Sequence, residues 1–180
     1  DGGFESLTSE ELEMRCPPFD DQWPESWKLS WRYDQKELFA PDTRLPYTYG
    51  YRRRFSRIVE LVKQSTAPGG TVLDVGAAQG NFALKLAELG YEVTWNDMRH
   101  DLVGYVRLKH EKGHVAYRAG NILDMGSPEQ FDCVLISEII EHVAHPDVFL
   151  QQISHLLKPT GHVVMSTPNG AFFLNRLPRF

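Results

Sequence analysis

The segment that decides the fold is Thr71–Phe82, TVLDVGAAQGNF. Thr71, Val72, Leu73 and Val75 form a short apolar, β-branched run, the composition of a strand covered on both faces. Asp74 interrupts that run near its end. Gly76 and Gly80 then bracket a turn of small residues that includes Ala77 and Ala78. Glycine tolerates unusual backbone angles and lets a ligand approach the main chain closely. Residues 81–89 follow with helical spacing, which puts Phe82, Leu86 and Leu89 on one face. Gly90 stands where a helix-ending glycine is expected. A strand, a glycine turn and a helix start in this order suit a dinucleotide or another adenosine ligand.

The dinucleotide fingerprint requires G-x-G-x-x-G. Here the spacing is G-x-x-x-G, with Ala78 where a middle glycine would stand. Asp74 lies two positions before the first glycine, where its carboxylate would repel a pyrophosphate and attract a cation. A positively charged ligand carrying an amino group is therefore favoured. An ordinary glycine turn of an α/β domain remains the plainer reading of the turn alone. The residues resemble motif I of the class I S-adenosylmethionine-dependent methyltransferases, (D/E)-x-G-x-G-x-G, from which Ala78 departs.

Working outward, Tyr91–Trp95 reads as a second strand that ends in Asn96 and Asp97. An acidic residue about 20 positions past the glycine turn can accept hydrogen bonds from ribose hydroxyls. Asp97 is the expected ribose ligand, against the alternative of a turn carboxylate. A helix over 102–112 stops at Gly113, and Val115–Tyr117 is a short third strand followed by Gly120, Asn121 and Ile122. In the resembling family an acidic residue at this place holds the adenine amino group. The carbonyl of Asn121 can accept the same bond, although asparagine is also a common turn residue. Phe131–Ser137 is a fourth strand, Pro146 suits the first turn of a helix reaching about Leu157, and His162–Ser166 is a fifth strand after a turn over 158–161.

Strands alternating with helices at this spacing predict an α/β fold with a doubly wound, mostly parallel, Rossmann-like sheet. Ligands of such sheets bind beyond the carboxyl ends of the strands. Asp97, Asn121, Glu138 and Asn169 all stand at such ends. The expected cofactor-binding set is Asp74, Gly76, Ala77, Gly80, Asp97, Asn121, Ile122 and Ser137, and the implied cofactor is S-adenosylmethionine. The resembling fold continues after its fifth strand with a helix and two more strands, which this chain is expected to lack. A longer parent protein, the aromatic N-terminal segment, an additional domain or a dimer would then cover the sheet edge.

The run EIIEHV, residues 138–143, carries the other chemistry. In a helix, Glu138, Glu141 and His142 would stand at i, i+3 and i+4 and point to one side. Two carboxylates and an imidazole so placed can hold a divalent cation such as Mg2+, which would orient and acidify an acceptor hydroxyl. His145 precedes a proline and is not counted as a ligand. Without a metal, His142 and Glu138 are the catalytic candidates, with His142 as general base; a loop–helix junction with solvated carboxylates is the alternative. The run looks like that of the ubiquinone-biosynthesis O-methyltransferases and their small-molecule and glycan-pathway relatives, as does the tail STPNGAFFLNRL. It is also similar to that of the small-RNA 3′-end 2′-O-methyltransferases. Those need a further metal-binding histidine and an RNA surface that are not identified here. The first resemblance implies methyl transfer to a small-molecule or glycan hydroxyl. Rivals are an RNA 2′-O-methyltransferase, a cofactor-binding module without catalysis, and a nicotinamide-dependent oxidoreductase.

The remaining sequence bounds these readings. At 180 residues with 42% hydrophobic residues the chain can build a domain core. Residues 1–50 are expected to form an acidic leader followed by an aromatic flap or lid (Trp23, Trp27, Trp31, Tyr33, Phe39), and residues 51–180 the methyltransferase domain. From Tyr51 to Gln64 the pattern is helical, with Phe55, Ile58, Val59 and Val62 as its apolar stripe and Arg52, Arg53, Arg54 and Arg57 largely on the solvated face. A net charge of −5 disfavours generic nucleic-acid binding. No run is long and apolar enough to span a membrane. Cys16 and Cys133 make neither a disulfide framework nor a zinc pattern, so a reducing, cytoplasmic setting is expected.

Overall fold

The computed structural model describes residues 14–40, 46–124 and 130–169. Five parallel strands lie in the order β3-β2-β1-β4-β5. They are β1 (Thr71–Val75), β2 (Glu92–Asp97), β3 (His114–Ala119), β4 (Phe131–Ser137) and β5 (Leu157–Ser166). The first strand, β1, is central; from it the sheet winds outward through β2 and β3, and the chain then returns to place β4 on the other side of β1. The winding direction therefore reverses between β1 and β4, which opens a crevice at their carboxyl ends.

Alternation along the strands sends side chains into two cores. Val72, Trp95, Cys133 and Leu135 face the helices α2 (Pro46–Ser65), α3 (Asn81–Glu88) and α4 (Leu102–Lys109). Leu73, Val75, Val134 and Ile136 face Phe149 and Ile153 of α5 (Pro146–Ser154). Central strands covered on both faces explain the unbroken apolar runs in the sequence. The stripe Phe55, Ile58, Val59 and Val62 is buried as its spacing predicts, and Phe55 stacks on Phe82 of α3 with ring centroids 4.9 Å apart.

The arginines of α2 depart from expectation. Arg53 and Arg57 are exposed, but Arg52 is 1% exposed. Its guanidinium donates to the carbonyls of Glu37, Leu38 and Ala40, at the C-terminus of α1 (Glu25–Glu37). A cation there opposes the negative end of the helix dipole. Trp27 of α1 and the preceding Trp23 pack on the domain body: Trp27 donates its indole N–H to the Asp101 carbonyl, and the rings of Trp23 and Trp27 meet Tyr105 of α4 at 6.0 and 6.3 Å.

Helix α5 ends at Ser154, short of the expected Leu157, because the segment read as a turn joins the sheet. The β4–β5 register shifts between Phe131 and Cys133, so the extra residues of β5 are absorbed as a bulge. Lys158 in that segment lies 2.8 Å from Asp132, whose carboxylate also accepts from the N–H and hydroxyl of Thr71. These donors lower the Asp132 pKa to about 2. Among the described residues, no helix is long and apolar enough to cross a membrane.

Candidate cofactor cleft

The glycine turn follows β1 directly. Gly76 adopts φ +64°, and a Cβ there would collide with the Ile139 side chain. Gly80 adopts φ +74°, and its Cβ would stand 2.5 Å from Val106 Cγ1. Between them Ala78 takes φ 47°, the left-handed conformation that a glycine would adopt freely. Its departure from the motif is thus one of residue type and not of backbone, at a cost of about 1 kcal/mol. Two contacts hold it there: its N–H donates to Asp97 Oδ2 at 2.8 Å, and Trp95 Nε1 donates to its carbonyl at 3.2 Å.

Two recesses open beside this turn. One, of about 350 Å³, is lined by Asp74, Gly76, Ala77, Asp97, Ser137 and Glu138, and extends to Arg54, Glu37 and His142. The other, of about 240 Å³, is lined by Met98, Asn121, Ile122 and Phe149. Gly76, Asp97 and Ile139 line both, so the two recesses adjoin at these residues and together make a paired trough along the strand ends. Gly80 lines neither and packs behind the turn against Val106, shaping it from below. Glu141 and Asn169 also lie outside both.

Asp97 is 6% exposed. Besides the Ala78 contact, its Oδ1 accepts from the Arg99 backbone N–H at 2.9 Å and from Arg99 Nε at 3.2 Å. The Arg99 side chain is 52% exposed, so its guanidinium is the Asp97 donor that a ribose hydroxyl can displace while water takes its place. Asn121 Oδ1 accepts the Leu123 N–H at 3.1 Å, which makes it a turn residue at the start of the short helical turn Ile122–Asp124.

Asp74 is buried, and its Oδ2 has no hydrogen-bond partner. Burial, reinforced by the nearby Asp97, pushes its pKa up to about 8. A buried carboxyl with an open oxygen suits a cationic group, which would restore its charge. In the unfolded chain this carboxyl loses its proton near pH 3.8, and in the ligand-free fold near pH 8. Across that window the fold holds a proton that the unfolded chain has released, so stability from this group falls as pH rises. A cation docking beside Asp74 favours the charged form, so binding at pH 6.5 should expel a proton and tighten toward pH 8. Titration heats in two buffers of unlike ionisation enthalpy read that proton. Equal heats in a Glu37→Gln background would remove Asp74 from this role.

At the far end of the trough the segment is the loop–helix junction and not the helix. Glu138 takes φ 56°, and only a three-residue helical turn, Ile140–His142, precedes α5. Pro146 sets the start of α5 and the left-handed Glu138 interrupts any helix before it, so the i, i+3, i+4 geometry is not formed. Glu138 Oε1 accepts from Ser166 Oγ at 3.0 Å, and its Oε2 pairs with Arg54 at 3.4 Å. Glu141 instead accepts from Thr167 Oγ1 at 3.3 Å, while His142 stands exposed on the cavity rim. Among the described residues, no group of three His, Cys, Asp or Glu side chains could hold a metal ion. Glu138, Glu141 and His142 are therefore not gathered into such a group in this structure.

Arg54 and Glu37 are two of the charged residues of the trough that the expected cofactor-binding set did not include. The Arg54 guanidinium lies over the Tyr51 ring at 5.2 Å, and its Nε is buried without a hydrogen-bond partner. Glu37, at the end of α1, accepts from Tyr47 OH at 2.9 Å, and burial raises its pKa to about 7 against the opposing pull of that bond and of Arg54. The RRR run was visible as a signal; which arginine turns inward depends on α1 lying across α2.

A parallel sheet that reverses at β1/β4, with a glycine turn and a strand-end aspartate at that crevice, defines a Rossmann-like nucleoside-binding domain. Residues 47–179 match the family described as Methyltransferase domain, and the chain belongs to that family. It is 34% identical over 145 residues to a protein of Bradyrhizobium diazoefficiens named ubiquinone biosynthesis O-methyltransferase, covering 76% of this chain and 56% of that one. The chain spans about half the length of the curated relatives it matches. Its fold is shared with the N-methyltransferase NodS from Bradyrhizobium japonicum WM9, solved with S-adenosyl-L-homocysteine (TM-score 0.59, 21% identity, 79% of this chain and 72% of that one). It is also shared with a protein of Pyrococcus horikoshii OT3 (TM-score 0.62, 22% identity, 86% and 66%).

Proposed function

We propose that this chain is the S-adenosylmethionine-binding part of a methyltransferase that O-methylates a hydroxyl of a small molecule, a phenol or a sugar. The observation that carries the reading is the pair of recesses adjoining at Gly76, Asp97 and Ile139, with the open carboxyl oxygen of Asp74 beside them. The fold family, and relatives named O-methyltransferases, support it.

In this reading the recess beside Met98, Ile122 and Phe149 takes the adenine, and Asp97 accepts from the ribose hydroxyls. Asp74 faces the cationic amino end, and Arg54 faces the methionine carboxylate with its open Nε. When bound, S-adenosylmethionine supplies an electrophilic methyl group on a sulfonium, so the acceptor needs mainly placement and loss of a proton. His142, on the rim, takes that proton. Glu138, held by Ser166 and Arg54, orients the acceptor hydroxyl.

Calorimetric titration with S-adenosylmethionine, S-adenosylhomocysteine and NAD tests the cofactor assignment. Saturable heat is expected from the first two and none from NAD; silence from both sulfur nucleosides overturns it. His142→Ala and Glu138→Gln should each lower labelled-methyl transfer to a catechol and sugar panel, His142→Ala by about 100-fold or more, with cofactor affinity unchanged. Turnover that survives both substitutions would end their catalytic role.

A further inference from the structure

Behind the glycine turn lies a polar cluster that the proposed chemistry does not use. Asp34 of α1 is 0% exposed. Its Oδ1 accepts from Asn81 Nδ2 at 2.9 Å, and its Oδ2 accepts from Tyr105 OH at 2.6 Å and Lys109 Nζ at 2.7 Å. Lys109 also donates to Asn81 Oδ1 at 2.6 Å. Both side chains of the Asp34–Lys109 pair are wholly removed from solvent. Well-packed apolar residues usually stabilise a fold as well as a buried ion pair does, so stability alone gives weak reason for this cluster.

Its position supplies a better reason. Asn81 is the first residue of α3, directly after Gly80, and it lines the larger recess. Its Nδ2 also donates to Tyr51 OH at 3.1 Å, and Tyr51 lines the same recess and lies under Arg54. One amide thus spans from the buried charge pair to the cleft wall. Its amide nitrogen and carbonyl are both engaged, so its orientation is set by α1, α2 and α4 together. The C-terminus of α1 also brings Glu37 into the cleft.

We infer that Asp34 is a positioning residue for the cofactor: through Asn81 and Tyr51 it aligns the start of α3 and the Arg54 wall, so that α1 docking and cofactor binding favour one another. The inference rests on the cofactor assignment above. Coupling between two binding events is reciprocal. If docked α1 strengthens cofactor binding, bound cofactor must strengthen α1 docking by the same factor.

The test compares the wild-type chain with Asp34→Asn/Lys109→Gln, which removes both charges while keeping hydrogen-bonding groups of similar size. Calorimetry measures affinity for S-adenosylhomocysteine, and hydrogen exchange follows the amides of residues 25–37 with and without it. The double variant should bind about 10-fold more weakly while its circular dichroism is unchanged. Wild-type α1 amides should exchange several-fold more slowly when S-adenosylhomocysteine saturates the protein, and those of the variant should not respond. A purely structural role would shift the melting temperature without this response. Affinity within two-fold of wild type, or wild-type α1 amides indifferent to S-adenosylhomocysteine, overturns the inference. Wild-type α1 amides indifferent to S-adenosylhomocysteine overturn the inference even if the variant does not fold, and a Glu37→Gln chain that keeps the wild-type response separates it from direct contact at the end of α1. No heat from S-adenosylhomocysteine overturns the cofactor assignment with it; heat with an indifferent α1 overturns this inference alone.

Discussion

Asp97→Ala is expected to weaken binding of S-adenosylhomocysteine by about 100-fold while the protein stays folded. Hydrogen bonds to a charged acceptor contribute about 1.5–3 kcal/mol each, and two ribose hydroxyls on one carboxylate bring the loss to about 3 kcal/mol, or roughly two decades of affinity. A second effect adds to it. The Ala78 N–H would lose its acceptor, which releases a residue already held at φ 47°. The fold should survive because the backbone of Asp97 pairs with Ala119 whatever its side chain. Asp97→Asn keeps an oxygen for the Ala78 N–H but loses the charge, and should fall between wild type and alanine. Calorimetry beside a thermal melt checks this. Unchanged affinity in Asp97→Ala would move the ribose elsewhere in the trough.

Asp34→Ala should be the most destabilising single substitution in the N-terminal segment. It leaves the Lys109 ammonium in a site with no solvent exposure and, among the described residues, the Asn81 side-chain carbonyl as its remaining hydrogen-bond acceptor. Breaking a buried pair from one side costs about 3–5 kcal/mol, a large part of the roughly 5–15 kcal/mol that keeps a domain folded. Urea unfolding measures it directly. A loss under about 1 kcal/mol would mean that water or a rearranged acceptor reaches Lys109. Contrast with the charge-free pair Asp34→Asn/Lys109→Gln separates the two effects: the double variant should recover most of the stability and still bind cofactor weakly.

What could be read in advance was local. The β1 run, the glycines at 76 and 80, and the distance to Asp97 are properties of one βαβ unit, where each residue answers mainly to near neighbours in sequence. The trough accordingly contains Asp74, Gly76, Ala77, Asp97, Asn121, Ile122 and Ser137. Periodicity decided less where a regular spacing crosses an irregular segment. Glu138, Glu141 and His142 match helical spacing, yet a left-handed residue and the helix start at Pro146 leave only three residues in a helical turn. At Arg52 and Arg54 it decided little for another reason. Helical periodicity says which residues share a face, and not whether a distant segment covers it.

By itself, then, the sequence determined the parallel strand–helix alternation, the glycine turn and the carboxylate at the end of β2, because backbone sterics and hydrophobic period act over a few residues. Only the tertiary structure decided that Arg54 looks into the cleft, that Glu37 joins it, and that Asp34 meets Asn81 and Lys109 across 47 and 75 positions of chain. The fate of a charged side chain depends on what shields it from water, and for these residues the shield comes from elements far away in sequence.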